Sequence, residues 1–167
     1  LSGALELVRD SGTKKTVDAG QTVTYDVTVY NRGNVDDTYR LSSDSTWNVT
    51  FSENDISLPW GTGSSRTVQV TIIVPENAKV IHSPVKITAT SLNHTSAKGS
   101  VNLDVNVNPT YKVSVSMGSA QAVDGTSITY PFQIKNEGNA QDSYNFTVSN
   151  IDQLAMDGWT ARISGVD

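Results

Sequence analysis

The stretch Thr22-Val23-Thr24-Tyr25-Asp26-Val27-Thr28-Val29-Tyr30-Asn31-Arg32-Gly33-Asn34 decides how the rest of the chain reads. Val23, Tyr25, Val27 and Val29 fall on one side of a period-two ladder, with Thr22, Thr24, Asp26 and Thr28 on the other. That alternation belongs to a strand with one face buried and one in water. The Asn-x-Gly-Asn that follows ends it, because Asn and Gly tolerate the positive φ that a sharp reversal often demands. Moving outward, Val68, Val70, Ile72 and Val74 repeat the pattern, as do Val85, Ile87 and Ala89, and then Val101, Leu103, Val105 and Val107. Shorter candidate strands lie at 4–8, 37–43, 47–51 and 55–58. Pro75 closes the second long strand, since proline has no amide to donate to a continuing ladder. No window carries an apolar stripe of helical period. About seven short strands between Gly, Asn, Pro and Ser turns predict an all-β fold, an antiparallel β-sandwich of immunoglobulin-like type.

The opening stretch also occurs twice. Gly20–Tyr39 aligned with Gly125–Tyr144 at an offset of 105 gives eight identities in twenty positions, among them Tyr25/Tyr130, Asn31/Asn136, Gly33/Gly138, Asn34/Asn139, Asp37/Asp142 and Tyr39/Tyr144. Chance matching gives about one. Trp47 then matches Trp159 at an offset of 112, so the second copy holds seven extra residues, in the region 150–158. The expected organisation is two tandem immunoglobulin-like sandwiches. The first, 1–108, is complete; the second, 109–167, is the front half of a repeat. Asn108-Pro109-Thr110 reads as a short, stiff hinge between them. Half a sandwich leaves an inner face and a sheet edge unpaired, which is costly in water. A longer parent chain, or strand donation from another copy, is therefore expected to complete it.

Composition narrows the classes. The chain has 167 residues, no cysteine, 12 Lys+Arg against 17 Asp+Glu, and a net charge of −5. Twenty serines, 19 threonines and 13 asparagines make close to a third of it. Disulfide scaffolds and zinc ribbons need cysteine. Nucleic-acid binders normally show a basic surplus, so no nucleic-acid partner is expected. A spanning helix needs about 18 unbroken apolar residues, which occur nowhere, so no membrane insertion is expected of this segment. The apolar share of 37% is too high for a disordered tail. Leu1 in place of Met is expected of a chain from which upstream sequence has been removed.

Three stretches together carry a family resemblance: Trp47-Asn48-Val49-Thr50, then Ile56-Ser57-Leu58-Pro59-Trp60-Gly61, then Val68 through Val74 with Pro75-Glu76-Asn77-Ala78. They resemble the Trp strand, leucine–x–x–glycine turn, alternating valine strand and valine–proline–x–x–alanine exit of NEW3-type domains. Val29-Tyr30-Asn31-Arg32-Gly33-Asn34 is similar to the turn shared with CARDB and APHP-like modules. The resemblance implies immunoglobulin-like repeats of prokaryotic, especially archaeal, cell-surface and secreted proteins, some of which accompany glycoside hydrolases. It implies no shared catalytic residue. One departure is Lys79-Val80-Ile81-His82-Ser83-Pro84, which stands where the family has a Gly-containing turn.

Catalytic chemistry is thinly supplied. Nucleophilic catalysis needs a Ser, Thr or Cys beside a base held by a third group. The bases on offer are His82, in an expected loop, and His94, in the 92–97 turn, both expected to face solvent. Their spacing suits no metal. Asp36 and Asp37, with Asp142 in the second copy, are weak calcium candidates, since calcium wants six to eight oxygens. The alternative role for Asp37 and Asp142 is a side-chain bond to the amides of the preceding turn. Glycosylation triplets begin at Asn48, Asn93 and Asn145. Asn93, at an expected hairpin tip, is the best placed to carry a glycan, while Asn48 and Asn145 fall in expected strands. Trp47 and Trp159 are expected to pack. Trp60, in the Pro59-Trp60-Gly61 turn, is the candidate for touching a ligand or a neighbouring domain.

These readings converge on a non-enzymatic module, without catalytic residues or cofactors, of an extracellular or cell-envelope protein. Its expected work is that of a spacer in a surface layer, adhesin or stalk. Its expected partners are neighbouring domains of the same long chain or other copies of it, with cell-surface glycans as a further possibility. The alternative is an accessory, carbohydrate-contacting domain of a secreted polysaccharide-active enzyme.

Overall fold

The computed structural model describes residues 4–9, 14–121, 123 and 125–165. Among these described residues eleven strands and one short helix follow in order: β1 (Leu5–Arg9), β2 (Lys15–Val17), β3 (Thr22–Asn31), β4 (Asp37–Ser43), β5 (Asn48–Phe51), β6 (Asp55–Leu58), β7 (Ser65–Ile73), β8 (His82–Ser91), β9 (Lys98–Val107), β10 (Val113–Met117), β11 (Phe132–Asn136) and α1 (Ile151–Met156).

Residues 4–108 build two facing sheets, ordered β1-β3-β7-β5 and β2-β9-β8-β4-β6. The first has the A-B-E-D order of an immunoglobulin-like sandwich, and β9-β8-β4 has the G-F-C order of its partner sheet. The alternation read from sequence sets which side chains meet between them. Val23, Tyr25, Val27 and Val29 of β3, and Val68, Val70 and Ile72 of β7, point inward with Val74 just beyond. They meet Tyr39, Ile56, Ile87, Leu103 and Val105 from the other sheet. Each such side chain contributes about 1.5–3 kcal/mol by leaving water. The threonines of β3 face out, where the Thr28 and Thr67 hydroxyls bond each other at 2.8 Å.

One pairing departs from the antiparallel expectation. β2 runs parallel to β9, with Lys15↔Val105 and Val17↔Val107 in register. Three residues with no alternation of their own are held there from across the core. The Tyr25 hydroxyl donates to the Asp104 carbonyl and accepts from the Lys15 amide.

β10 and β11 form a separate two-stranded antiparallel sheet. Its register follows that of β1 and β3: Leu5 pairs with Asn31 and Leu7 with Val29, as Val113 pairs with Asn136 and Val115 with Ile134. Its apolar side chains lie open, Met117 being 73% exposed. The strand expected around Asn145 does not form, and β11 has half the length of β3. The reason is partnership. β4 is held between β6 and β8, and β3 is held along nearly its whole length by β7; no described residues supply those ladders to 137–149 or to the far side of β11. Trp159, expected to pack like Trp47, is 55% exposed for the same reason, and Tyr130, the counterpart of Tyr25, is 49% exposed.

The region 150–158, where the repeat alignment places seven extra residues, holds the six-residue helix α1. The helix ends at Gly158, whose φ of 80° lets the chain turn back in the left-handed region. The Trp159 amide then closes on the Leu154 carbonyl at 2.8 Å.

Candidate functional site

Three turns meet at the end of the sandwich where β3 finishes, here called its head. They are the 31–36 turn, the 59–64 turn and the 92–97 turn. Asn31 is buried at their junction. Its Oδ1 accepts from the Gly33 amide at 2.9 Å, and its Nδ2 donates to the Val35 carbonyl at 2.9 Å and to the Leu58 and Pro59 carbonyls at 3.2 Å. A short amide side chain thereby fixes both its own turn and the neighbouring one. Arg32 leaves this turn for solvent, forks onto Glu6 at 2.6 and 2.8 Å, and lies over the Tyr30 ring.

Asp36 and Asp37, adjacent in sequence, part company. Asp36 Oδ1 accepts from the Trp60 amide at 2.9 Å and so anchors the tip of the second turn. Asp37 is buried. Its Oδ1 accepts from the Thr38 amide at 2.8 Å and from Asn93 Nδ2 at 3.0 Å, and its Oδ2 accepts from Ser91 Oγ at 2.7 Å. Ser91 Oγ in turn accepts from the His94 amide at 2.7 Å, while His94 Nδ1 stands 3.6 Å from Asp37 Oδ2. Burial pushes the Asp37 carboxyl up, but the bonds from Ser91, the Thr38 amide and Asn93, with the His94 ring nearby, outweigh it and hold the group below the ordinary carboxylate value. Beneath it the Tyr39 phenol is pushed up to about 12, by burial first and by the Asp37 charge second.

This geometry corrects two readings from sequence. The Asp37 bond is not to the preceding turn; Asn31 serves that turn, and Asp37 clamps the start of β4 to the turn between β8 and β9. His94 is not fully turned to solvent, because its ring leans over Asp37 with a third of its surface exposed. The third calcium candidate, Asp142, lies apart from the other two and accepts from the Ser143 amide at 2.8 Å. Among the described residues no cluster of three or more His, Cys, Asp or Glu side chains comes together. His82 opens β8 rather than lying in a loop, and its side chain lies outside the described residues.

Two open concavities flank the Pro59-Trp60 tip. One, about 350 Å³, is lined by Asp36, Thr38, Ser57, Pro59 and Asn93. The other, about 360 Å³, runs between Asn34 and Trp60, floored by the glycines of both turns. Trp60 stands 65% exposed. The three glycosylation triplets are all outward: Asn93 on the head turn with its amide on Asp37, Asn48 on the edge strand β5, and Asn145 in irregular chain.

The opposite end of the sandwich, its tail, carries an element that sequence reasoning treated only as a turn. The 136–140 turn repeats the bonds of the 31–35 turn: Asn136 Oδ1 accepts from the Gly138 amide at 2.9 Å, and Nδ2 donates to the Ala140 carbonyl at 2.8 Å. Its Asn139 then reaches the tail. Nδ2 donates to the Ala78 and Asn108 carbonyls at 3.1 and 3.0 Å, Oδ1 accepts from the Thr110 amide at 2.7 Å, and the Asn139 carbonyl accepts from the Val80 amide at 3.3 Å. Gly138 does not take a positive φ here. It is required by approach, since a Cβ would run into the Thr110 carbonyl. The one available signal was the shared Asn34/Asn139 identity, which names the position and not its partner.

No family model matches this chain, and no curated protein matches it. Solved structures that it is similar to include the ASH/PapD-like domain of human CEP192, at 15% identity over 62% of this chain and 82% of that one, TM-score 0.42. A family 123 glycoside hydrolase from Clostridium perfringens is 11% identical over 57% of this chain and 23% of that one, TM-score 0.44. The secreted serine protease VesC from Vibrio cholerae is 13% identical over 78% of this chain and 43% of that one, TM-score 0.40. The architecture assigned above rests on strand order and register.

Proposed function

We propose that the chain is a non-catalytic spacer of an extracellular or cell-envelope protein, a surface layer, adhesin or stalk, built from tandem immunoglobulin-like units of the NEW3/CARDB type. The observation that carries this reading is the joint at Asn108-Pro109-Thr110. Proline restricts the backbone there, and Asn139 ties the following turn to both sides of the joint. A spacer needs such a joint, because independent units transmit position poorly. The head turns support the same reading, since the buried Asn31, Asp37 and Ser91 spend their polar atoms bracing loops. The open apolar face of β10 and β11 is completed, in this reading, by strands from neighbouring domains of the same long chain or from another copy.

The test has two parts. Protease shaving and fractionation of cells that make the protein should release it from the outside. Small-angle scattering of the purified chain should give one fixed shape that loosens in Asn139→Ala. Protein confined to the cytoplasm, or a variant that scatters as the parent does, overturns the proposal. A stable monomer in solution would remove strand exchange between copies.

The exposed Trp60 beside its concavity favours a second reading, an accessory domain that contacts carbohydrate, because an indole face stacks on sugar rings. Binding to insoluble polysaccharide that Trp60→Ala abolishes would establish it.

A further inference from the structure

β10 and β11 rebuild the start of a sandwich sheet. Val113 stands where Leu5 does and Asn136 where Asn31 does. Both pairs continue by the same bond, from the Arg32 amide to the Ala4 carbonyl at 2.9 Å and from the Glu137 amide to the Lys112 carbonyl at 2.7 Å. In the first unit β7 lies antiparallel along the other side of β3, from Thr22↔Ile73 to Tyr30↔Ser65, while β1 stays at the sheet edge. The repeat therefore marks the outer side of β11, and not that of β10, as the side to be filled. Among the described residues no strand pairs with it.

Backbone direction agrees. Alternate residues of an antiparallel strand turn their amides and carbonyls to opposite sides. Glu137 bonds toward β10, as do Lys135 and Gln133, so Phe132, Ile134 and Asn136 present their amides outward. At the matching position the Asn31 amide reaches the Ser64 carbonyl, just ahead of β7, at 3.0 Å. Proline commonly guards a sheet edge, and Pro131 stands immediately before β11. Its carbonyl accepts from the Gly118 amide at 2.9 Å, so the side on which it lacks an amide faces β10 and the outer edge is unguarded.

The side chains repeat as well. Ile128, Tyr130, Phe132 and Ile134 keep the period of Val23, Tyr25, Val27 and Val29. Yet β11 begins only at Phe132. Tyr130 and Phe132 are 49% and 39% exposed, where Tyr25 and Val27, opposite Val70 and Val68, are buried.

We infer that the outer edge of β11 is a docking site for one further strand, antiparallel to it, with aliphatic side chains at alternate positions as in β7. A residue in the place of Val68 lies opposite Phe132 and one in the place of Arg66 opposite Ile134, and the added ladder carries β11 back to Ser127. Main-chain bonds give such a contact its affinity and the alternate side chains its specificity. The occupant is a strand that is not already part of a sandwich. β7 of a folded second copy does not qualify, because it is paired on both sides and its Val68, Val70 and Ile72 are buried. This docking site presupposes the tandem-unit reading proposed above and narrows it to one strand, one edge and one register.

The probe is a synthetic peptide of residues 64–75, added to the purified full chain, with amide exchange read by NMR. At saturating peptide the amides of Phe132, Ile134 and Asn136 should exchange at least about ten-fold more slowly. Within β7 the Gln69 carbonyl accepts from the Ser52 amide, so Thr67, Gln69 and Thr71 face β5 while Arg66, Val68 and Val70 face β3. N-methylation of Val68 in the peptide should abolish the protection, and N-methylation of Thr67 should leave it. No slowing with the parent peptide, or equal behaviour of the two methylated peptides, overturns the proposal. Slowing confined to residues 22–31 also overturns it, since the peptide would then be displacing β7. So does protection of residues 132, 134 and 136 that grows with protein concentration in the absence of peptide, the mark of copies pairing edge to edge. A cytoplasmic location would defeat the spacer reading without touching this result, and failure of the peptide would leave the Asn139 joint standing.

Discussion

Replacing Asp37 by Asn should cost about 3–5 kcal/mol at neutral pH and far less in acid. The groups bonded to the carboxylate are all donors: Ser91 Oγ at 2.7 Å, the Thr38 amide at 2.8 Å and Asn93 Nδ2 at 3.0 Å. Bonds to an ionised acceptor contribute about 1.5–3 kcal/mol each and neutral ones about 0.5–1.5. Asparagine keeps an oxygen for Thr38 and Asn93, so those two bonds weaken by about 1 kcal/mol apiece. Its NH2 then faces the Ser91 hydroxyl proton. Ser91 is fully buried and its oxygen already serves the His94 amide, so turning that hydroxyl strands a donor at a cost of about 1–3 kcal/mol.

The pH dependence has a definite sign. A carboxyl whose folded value lies below the ordinary one stabilises the fold above the ordinary carboxylate range, near 4. That contribution is lost as pH falls through the folded value. Urea titrations of parent and Asp37→Asn followed by far-UV circular dichroism, at pH 7 and near pH 2, measure both points. A loss below about 1 kcal/mol at pH 7, or an equal loss at the two pH values, would refute the clamp.

Three further outcomes follow from the packing. Ile87→Ala, at a fully buried site, should cost about 2–5 kcal/mol, while Met117→Ala on the open face should stay within about 0.5, both by urea titration. Tyr25→Phe leaves the Asp104 carbonyl and the Lys15 amide without their shared partner; it should cost about 1–2 kcal/mol and speed hydrogen exchange across residues 15–17 before the rest of the sheet. Gly138→Ala drives a methyl into the Thr110 carbonyl, so amide exchange at residues 137–139 should rise at least about ten-fold with the 4–108 core unchanged.

How far the chain could be read beforehand depended on the range over which each feature is encoded. β3, β7, β8 and β9 carry their own alternation, so their buried faces were legible residue by residue. β2 was not, because three residues hold no period and their strand exists only through Val105 and Tyr25. The expected strand around Asn145 shows the converse: β4 owes its form to β6 and β8, and a copy of its sequence without those neighbours stays irregular. The Asp37 clamp joins residues 54 and 56 positions apart, and neither a serine nor an asparagine in a turn announces such a partner. Helix α1 fills the insertion that the repeat alignment located, although its six residues are too few to show a helical stripe.

The bonds through which Asn139 holds the joint run only between amides and carbonyls. None of those four bonds has a group that gains or loses a proton between acid and alkali, or a net charge for dissolved ions to shield. A grip made of ion pairs would slacken in brine and shift with acidity; the asparagine's grip keeps its strength in both, so a chain of such units would be held to the same contour in fresh water and in salt.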